Sequence, residues 1–188
     1  MSRLFVITLG FEEKFAVRMI TRHGLDAGDH LLLVTGPRTR QSERAARFLQ
    51  GFVAQYYGGD VGLEVVEVDP SKGFEQLVKD VYEAVASRAA GRKLVVFNLS
   101  GGMRALCLAA LEAATLLSTA GLNVKVELET EDSQHLLEIP QPHLKMHQAL
   151  AQLTPEKEKI LREIAEKPLT AKQLAEKLGK DELSLIHI

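Results

Sequence analysis

The sequence predicts an α/β protein whose core is a doubly wound, mainly parallel β-sheet. Short apolar runs alternate along the chain with longer segments of helical periodicity, as in repeated βα units. Several runs, including residues 94–97, are apolar on both faces, which is typical of parallel strands covered by helices on each side. The length of 188 residues accommodates one such core and a small appendage. Together these observations favour a Rossmann-like fold.

The apolar runs are predicted to form parallel strands at residues 4–9, 30–34, 63–68, 93–99 and 123–128. Helices are predicted between them at residues 12–23, 40–57, 73–89 and 102–120. A sixth strand at residues 134–139 follows a polar turn and should form an antiparallel edge hairpin with the fifth strand. Because Pro140 and Pro142 interrupt the pattern, we place the sheet domain at residues 1–140.

A small, incomplete all-α segment is predicted to follow the sheet domain. Residues 141–152 are assigned as a linker and residues 153–182 as part of a helix-turn-helix. Thr154, followed by Pro155, and Thr170 are predicted helix N-caps, and Gly179 is a predicted helix stop. Residues 183–188 match the translation of a transposon sequencing adapter, so we expect them to be a non-native tail. The alternative is a genuine short strand.

Composition excludes several classes of protein. Charge is nearly balanced, with 23 basic and 25 acidic residues, so any polyanion must be bound by a local patch. The apolar run near the start is too short for a signal or membrane segment. Cys107, the only cysteine, is predicted to be a buried small residue in a reducing compartment. We therefore expect a cytoplasmic protein that does not associate with membranes.

The signatures of common enzyme classes are missing from the sequence. No Gly-x-Gly-x-x-Gly follows the first strand, and there is no Walker lysine or nucleophile elbow, which argues against ordinary dehydrogenases, NTPases and hydrolases. His143 and His147 are one helical turn apart but have no further ligand type nearby, so we expect them at the surface. No metal, cofactor or catalytic residue is predicted.

The most informative motif follows the fourth predicted strand and opens a helix. It contains Asn98, Ser100, Gly101, Gly102, Met103 and Arg104. In open parallel sheets, ligands bind at the carboxyl ends of strands, where helix N-termini present unpaired N–H groups. Two glycines let the backbone approach an anion, and Arg104 can donate to a phosphate. The alternative is that the glycines only form a tight turn between strand and helix.

A second motif follows the first predicted strand and contains Thr8, Leu9, Gly10 and Phe11. Gly10 permits the bend and Thr8 offers a hydroxyl group. Phe11 can stack on a base or, as we expect, pack against the helix that it precedes. If strands one and four flank the switch point of the sheet, the two motifs become neighbours and form one site.

Arginines follow the second predicted strand. Arg38 and Arg40 are candidates for the rim of an anion-binding pocket. Arg44 and Arg47 share a helix with an apolar face, so we expect them on its solvated side.

The helix predicted after the main motif, over residues 103–122, carries only Arg104 and Glu112 as charged residues. A helix that is apolar all round must be buried on all sides, and a second copy of the same helix is the simplest cover for the side that does not meet the sheet. This pattern predicts a homodimer. Its two-fold axis would bring two glycine turns together, an arrangement suited to a symmetric ligand.

With both motifs and the start of a helix-turn-helix, the chain resembles the CRISPR-associated Rossmann-fold (CARF) transcription regulators over nearly everything before residue 183. The resemblance implies a homodimer that binds cyclic tetra-adenylate, a second messenger. It also implies a C-terminal winged helix-turn-helix that binds promoter DNA in the full-length protein. The motif residues given above match the two ligand-binding motifs of the family. The groove-reading helix and wing are not recognisable in this sequence, which departs from the family there.

Three functions remain open from sequence. The preferred one is a ligand-sensing transcription regulator. The second is a ring nuclease that slowly cleaves cyclic tetra-adenylate, with Arg104 stabilising the developing charge. The motifs contain no His or Glu to act as a base, which favours the sensor. The third is a different Rossmann-type nucleotide-binding module.

Overall fold

The computed structural model describes residues 2–132 and 134–179. Its strands are β1 (Arg3–Leu9), β2 (His30–Thr35), β3 (Gly62–Glu67), β4 (Leu94–Asn98), β5 (Val124–Glu129) and β6 (Leu136–Ile139). Its helices are α1 (Lys14–His23), α2 (Arg40–Tyr57), α3 (Phe74–Ala89), α4 (Arg104–Thr119), α5 (Gln141–Leu144), α6 (Met146–Ala151), α7 (Pro155–Glu166) and α8 (Ala171–Leu178). Short 3₁₀ turns precede β3 and α3.

The strands form one sheet in the order β3-β2-β1-β4-β5-β6. The pairs from β3 through β5 are parallel, and β5 and β6 form an antiparallel edge pair. The predicted Rossmann-like fold class is therefore confirmed. Because β1 pairs with both β2 and β4, the direction of winding reverses between β1 and β4, as the sequence interpretation required.

Strand bounds agree with the predicted ones to within about two residues, but two helices begin later than predicted. α1 begins at Lys14 rather than at residue 12, and α4 begins at Arg104 rather than at residue 102. The second difference has a backbone cause: Gly102 has a φ of +91°, outside the right-handed helical region.

The core consists of two layers, one on each face of the sheet. Alternate residues of β1 enter both layers, as period-two side-chain geometry requires. Leu4 and Val6 pack with buried residues of α3 and α4, including Leu106. Phe5 and Ile7 pack on the other face with α1 and α2. The central strand is thus shielded from water on both sides.

The chain forms two compact units, and the first ends at Lys145. The first unit includes α5, whose Leu144 joins the core layer of α3 and α4. The segment 141–152, predicted as a linker, carries the two short helices α5 and α6.

The second unit begins at Met146 and contains α6, α7 and α8. Its helix ends occur where the sequence predicts them: Thr154 accepts a hydrogen bond from the Lys157 amide, Thr170 caps α8, and Gly179 adopts the left-handed conformation. The predicted tail at residues 183–188 lies outside the described residues. In the described part of the chain, none of the helices combines the length and apolar character needed to cross a bilayer.

Candidate functional site

The two glycine motifs meet at the carboxyl edge of the sheet, where β1 and β4 end side by side. An open groove of about 600 Å³ lies over them. We call it the glycine groove, and it is lined by Gly10, Phe11, Glu12, Lys14, Phe15, Ser100, Gly101, Gly102, Met103 and Glu131. The two motifs are therefore neighbours, as predicted.

The backbones of the two turns touch at the floor of the glycine groove. A Cβ atom placed on Gly10 would lie 2.9 Å from the amide nitrogen of Gly102, closer than such contacts occur. The Thr8 hydroxyl donates a hydrogen bond of 2.6 Å to the carbonyl oxygen of Gly101. Cys107 donates to the same carbonyl, with its sulfur 3.0 Å away, and burial raises the pKa of its thiol. Glycine is therefore needed at residue 10 for this close packing, whereas the backbone conformation there is not left-handed and does not itself require glycine.

The start of α4 lies beside this floor. Met103 occupies the N-cap position and provides no side-chain hydrogen bond to the first turn of the helix. The side chain of Arg104 is exposed, and no hydrogen bond or ion pair joins it to another described residue. A helix N-terminus without a side-chain cap, next to an exposed guanidinium group, is an arrangement that attracts anions.

Three of the predicted ligand residues lie beneath the groove surface. Thr8, Leu9 and Asn98 are each at least 97% buried. The side chain of Asn98 reaches Glu127 and the amide of Ser100, and that of Leu9 belongs to the core layer of α1 and α2. These side chains hold the turns in place from below.

Two apolar side chains stand at the groove surface. Phe11 is 56% exposed, so it does not pack closely against the following helix as the sequence analysis expected. Met103 is 40% exposed and lies against the turn after β2, where a Cβ on Gly36 would come 2.3 Å from its methyl group. Both side chains offer polarisable or aromatic surface to a flat ring.

The structure does not bring Arg38 to the glycine groove. Its Nε donates a hydrogen bond of 2.8 Å to Glu67, and it lines a separate depression of about 310 Å³ between α2 and the end of β3. Arg40 is exposed at the first position of α2. Arg44 and Arg47 are exposed as well, as expected for the solvated side of that helix.

Sequence reasoning missed several residues of the groove wall. Glu12 and Lys14, which form an ion pair of 2.9 Å, follow Phe11 directly, and Glu131 comes from the turn between β5 and β6. The topology could have predicted Glu131. A hairpin that follows a parallel strand turns at the carboxyl edge of the sheet, which is where the glycine turns lie.

A second missed feature is a cluster of buried charges on β5. Glu127 is fully buried and Glu129 is nearly fully buried. Arg22 of α1 pairs with both carboxylates, and Arg18 of α1 pairs with Glu129 as well. Burial alone would raise the pKa of Glu127, but hydrogen bonds from His23, Asn98 and Arg22 outweigh burial and hold that pKa at about 2. The only sequence signal was two acidic residues in a strand predicted to be covered on both faces.

Nothing in the described ranges brings three or more His, Cys, Asp or Glu side chains together in a way that could hold a metal ion. His143 is exposed, whereas the side chain of His147 lies outside the described residues. The residues that line the groove offer backbone amides, the Ser100 hydroxyl, the Lys14 ammonium group, the carboxylates of Glu12 and Glu131 and apolar surfaces, and Arg104 follows Met103 at the start of α4.

A sequence model for the Csa3 CRISPR-associated Rossmann-like domain matches residues 3–140, which span the sheet and both glycine motifs. The chain belongs to this family. A search of curated proteins gives no significant match. The family assignment supports the CARF resemblance for the sheet domain of this Csa3-type chain.

Solved structures share the fold of the Csa3-type domain at low sequence identity. One is Can2 from Sulfobacillus thermosulfidooxidans in complex with cyclic tetra-adenylate, with a TM-score of 0.53, 16% identity and coverage of 73% of this chain and 34% of Can2. Another is Enterococcus italicus Csm6 bound to cyclic hexa-2'-fluoro-hexa-dAMP, with a TM-score of 0.51, 8% identity and coverage of 82% of this chain and 41% of Csm6. The chain spans less than half the length of either protein, and these similarities show the fold.

Proposed function

We propose that the first unit binds a cyclic oligoadenylate, cyclic tetra-adenylate, in the glycine groove, and that the chain is the sensing part of a transcription regulator. The observation that carries this proposal is the meeting of the Gly10 and Gly102 backbones beside the uncapped start of α4. A phosphodiester can approach this floor closely because no Cβ projects from it.

The groove offers a separate group for each part of a nucleotide. Arg104 can donate two hydrogen bonds to one phosphate, in an exposed position that leaves it free to do so. Phe11 and Met103 provide surfaces against which adenine can stack. Sugar hydroxyls can meet Glu12, Lys14 or Glu131 on the wall. The groove thus matches the mixed chemistry of a ribonucleotide better than that of a simple anion.

A second copy of the chain completes the proposed site. Four exposed residues of α4, Arg104, Leu108, Glu112 and Leu116, fall at four-residue spacing and form one stripe, and Ala105 is exposed beside it. Leu108 and Leu116 are 59% and 42% exposed on the same stripe, and an apolar stripe of this kind favours burial against a partner. Packing two stripes about a two-fold axis would place two glycine grooves side by side.

The second unit supports the regulator part of the proposal. α7 and α8 are short amphipathic helices, each with a threonine cap, separated by a tight break. That is the pattern of the first two helices of a helix-turn-helix, which in a full-length regulator would be completed by a groove-reading helix and would bind promoter DNA. Ligand binding at the dimer interface would then alter the spacing of two DNA-binding modules.

The comparisons support the ligand class. Can2 and Csm6, which share the fold, are described in complex with cyclic tetra-adenylate and with a cyclic hexanucleotide analogue, respectively. The family of this chain is CRISPR-associated. A symmetric cyclic nucleotide also suits a symmetric two-copy site.

Calorimetric titration of the whole protein tests the proposal. We expect cyclic tetra-adenylate to bind more tightly than linear tetra-adenylate and to saturate at half a ligand per chain, with cyclic hexa-adenylate as the ring-size comparison. Absence of binding by both rings would refute the ligand assignment. Saturation at one ligand per chain would refute the two-copy site.

Ring cleavage is the second candidate, favoured by the position of Glu131 and Glu12 on the groove wall. In this reaction a ribose 2′-hydroxyl attacks the neighbouring phosphorus and a 2′,3′-cyclic phosphate forms as the bond to the 5′-oxygen breaks. A carboxylate can accept the proton of the 2′-hydroxyl, and the departing 5′-oxygen takes a proton from water to become a hydroxyl group. Chromatography of the ligand after long incubation separates the candidates. Cleavage that is lost in Glu131→Gln or Glu12→Gln supports the nuclease, and recovery of the intact ring supports the sensor.

A further inference from the structure

The buried carboxylate of Glu127 is surrounded by three side chains from two elements. One oxygen accepts hydrogen bonds from Arg22, at 2.8 Å, and from Asn98, at 3.1 Å. The other lies 2.8 Å from Nε2 of His23. Because the carboxyl group is ionised, it can only accept, so Nε2 of His23 carries the hydrogen. All of these donors converge on one residue in the second half of β5.

Two hydrogen bonds extend this cluster into the turn after β4. The amide oxygen of Asn98 accepts a hydrogen bond of 3.2 Å from the backbone N–H of Ser100. The hydroxyl of Ser100 in turn accepts one of 2.8 Å from the backbone N–H of Glu129. The entry to the Gly101-Gly102 turn is therefore fastened to β5 at two points.

The same cluster fastens the other turn of the groove through α1. This helix follows the Gly10 turn after a few residues, and its Arg18, Arg22 and His23 all pair with the β5 carboxylates. Removing one partner of a buried ion pair leaves an uncompensated charge, so such a cluster holds its elements firmly. Glu127 and Glu129 thus contact residues next to both glycine turns, namely α1 after the Gly10 turn and the segment 98–100 before the Gly101-Gly102 turn. Neither carboxylate lines the groove.

We propose that Glu127 is a positioning residue of the ligand site: by holding Asn98 on one side and Arg22 and His23 of α1 on the other, it fixes the two glycine turns relative to each other. This inference rests on the proposed function for its effect on ligand affinity. Its structural part, the ordering of the turn after Asn98, stands independently of any ligand.

The chain contains a matched control at the opposite edge of the sheet. Asp29 is also a buried carboxylate held by an arginine, since it accepts hydrogen bonds from the backbone and side chain of Arg3. By strand register Asp29 lies level with Arg3 and Glu127 level with Ile7, which separates the two carboxylates by roughly 13 Å along the strand direction at about 3.3 Å per residue. Loss of Asp29 should affect stability without reaching the glycine groove.

The experiment compares Glu127→Gln with Asp29→Asn, and the milder Arg22→Gln with Arg3→Gln, at a temperature where all four variants are folded. Cyclic tetra-adenylate affinity is measured by calorimetry, and amide hydrogen exchange is followed at Ser100. We expect the Glu127 and Arg22 variants to bind roughly tenfold more weakly or worse, equivalent to about 1.4 kcal/mol. The Asp29 and Arg3 variants should stay within about twofold of the wild type. Exchange at Ser100 should accelerate in the first pair only.

Each outcome bears on one of the two proposals. Equal loss of affinity in both pairs, in proportion to lost stability, would show that Glu127 is merely structural and overturn the inference. Unchanged exchange at Ser100 in both Glu127→Gln and Arg22→Gln would overturn it as well. If the wild type binds no cyclic adenylate, the proposed function fails, and the exchange comparison still decides whether Glu127 orders the turn.

Discussion

Arg104 is the residue on which the proposed ligand chemistry depends most directly. As an exposed cation at the first position of α4, it has no structural partner in the described chain that its removal would disturb. We expect Arg104→Ala to weaken binding of cyclic tetra-adenylate by about 1.5–3 kcal/mol for each lost charge-assisted contact and to reduce the salt dependence of binding. Calorimetry at two salt concentrations measures both effects.

Arg44→Ala is the matched control for that experiment, since Arg44 is exposed on α2 away from the groove. It should leave the affinity unchanged. Equal affinity in the wild type and Arg104→Ala would place the anion elsewhere.

Gly10 tests the close approach of the two turns. A Cβ here would meet the Gly102 backbone at 2.9 Å, so Gly10→Ala must push the turns apart. We expect a loss of about 1–3 kcal/mol in the free energy of unfolding, together with weaker ligand binding. Gly51→Ala is the control: it lies within α2 with open space around it and should stabilise the protein by about 0.5–1 kcal/mol. Denaturant unfolding of both variants gives the comparison, and a neutral Gly10→Ala would contradict the packing described.

The depressed pKa of Glu127 predicts a pH dependence of stability. A folded-state pKa of about 2, against an ordinary value of 4.5, corresponds to about 3 kcal/mol of stability that is complete above pH 4.5 and is lost as the pH falls towards 2. The free energy of unfolding should therefore be higher for the wild type than for Glu127→Gln at pH 6, and this difference should become smaller as the pH is lowered. Urea unfolding of both proteins between pH 6 and pH 3 measures this difference. A constant difference over that range would show that ionisation of Glu127 is not its cause.

At the scale of elements, the strands and the meeting of the two glycine turns were predictable because both follow from local patterns. Apolar runs identify β1 and β4, and glycines after a strand indicate the turns. The start of α4 was misplaced because Gly101-Gly102 continues an apolar helical pattern in the sequence, whereas in the fold Gly102 has a positive φ and packs close to Thr8 of β1. The charge cluster on β5 was missed because Glu127 and its α1 partners are 104 and 105 residues apart. Nothing local distinguishes such residues from solvated ones.

The exposed stripe of α4 yields a prediction about assembly. Leu108→Glu or Leu116→Glu would bury a carboxylate in the proposed interface, so at least one of them should give monomers. Because both leucines are exposed within one chain, each variant should remain folded. Phe48→Glu, at an exposed position of α2, is the control and should leave assembly unchanged. Analytical ultracentrifugation at micromolar concentration gives the result, and dimers in both α4 variants would place the interface elsewhere.

At the scale of the whole molecule, the site lies over the two central strands of the sheet and not on a peripheral loop. Ligand binding should therefore stabilise the first unit as a whole, by about 2.7 kcal/mol at a free ligand concentration one hundred times the dissociation constant. Thermal unfolding with and without cyclic tetra-adenylate measures this. The shift should be smaller with linear tetra-adenylate at the same concentration, and equal shifts would indicate general binding of oligonucleotides.

The contact between Thr8 and Gly101 joins residues 93 positions apart, and it has a consequence for the order of events during synthesis. A nascent chain that has emerged only as far as β3 can begin to pair β1 with β2, but it has no binding site. Closing a loop of this length is slow compared with forming local structure. The entropy of closure is lost before the contacts between β1 and β4 can stabilise the chain. Under the proposed function, cyclic tetra-adenylate can therefore neither assist early folding nor stabilise a chain arrested before β4. A chain that binds this ligand must therefore already have paired β1 with β4 at the centre of the sheet.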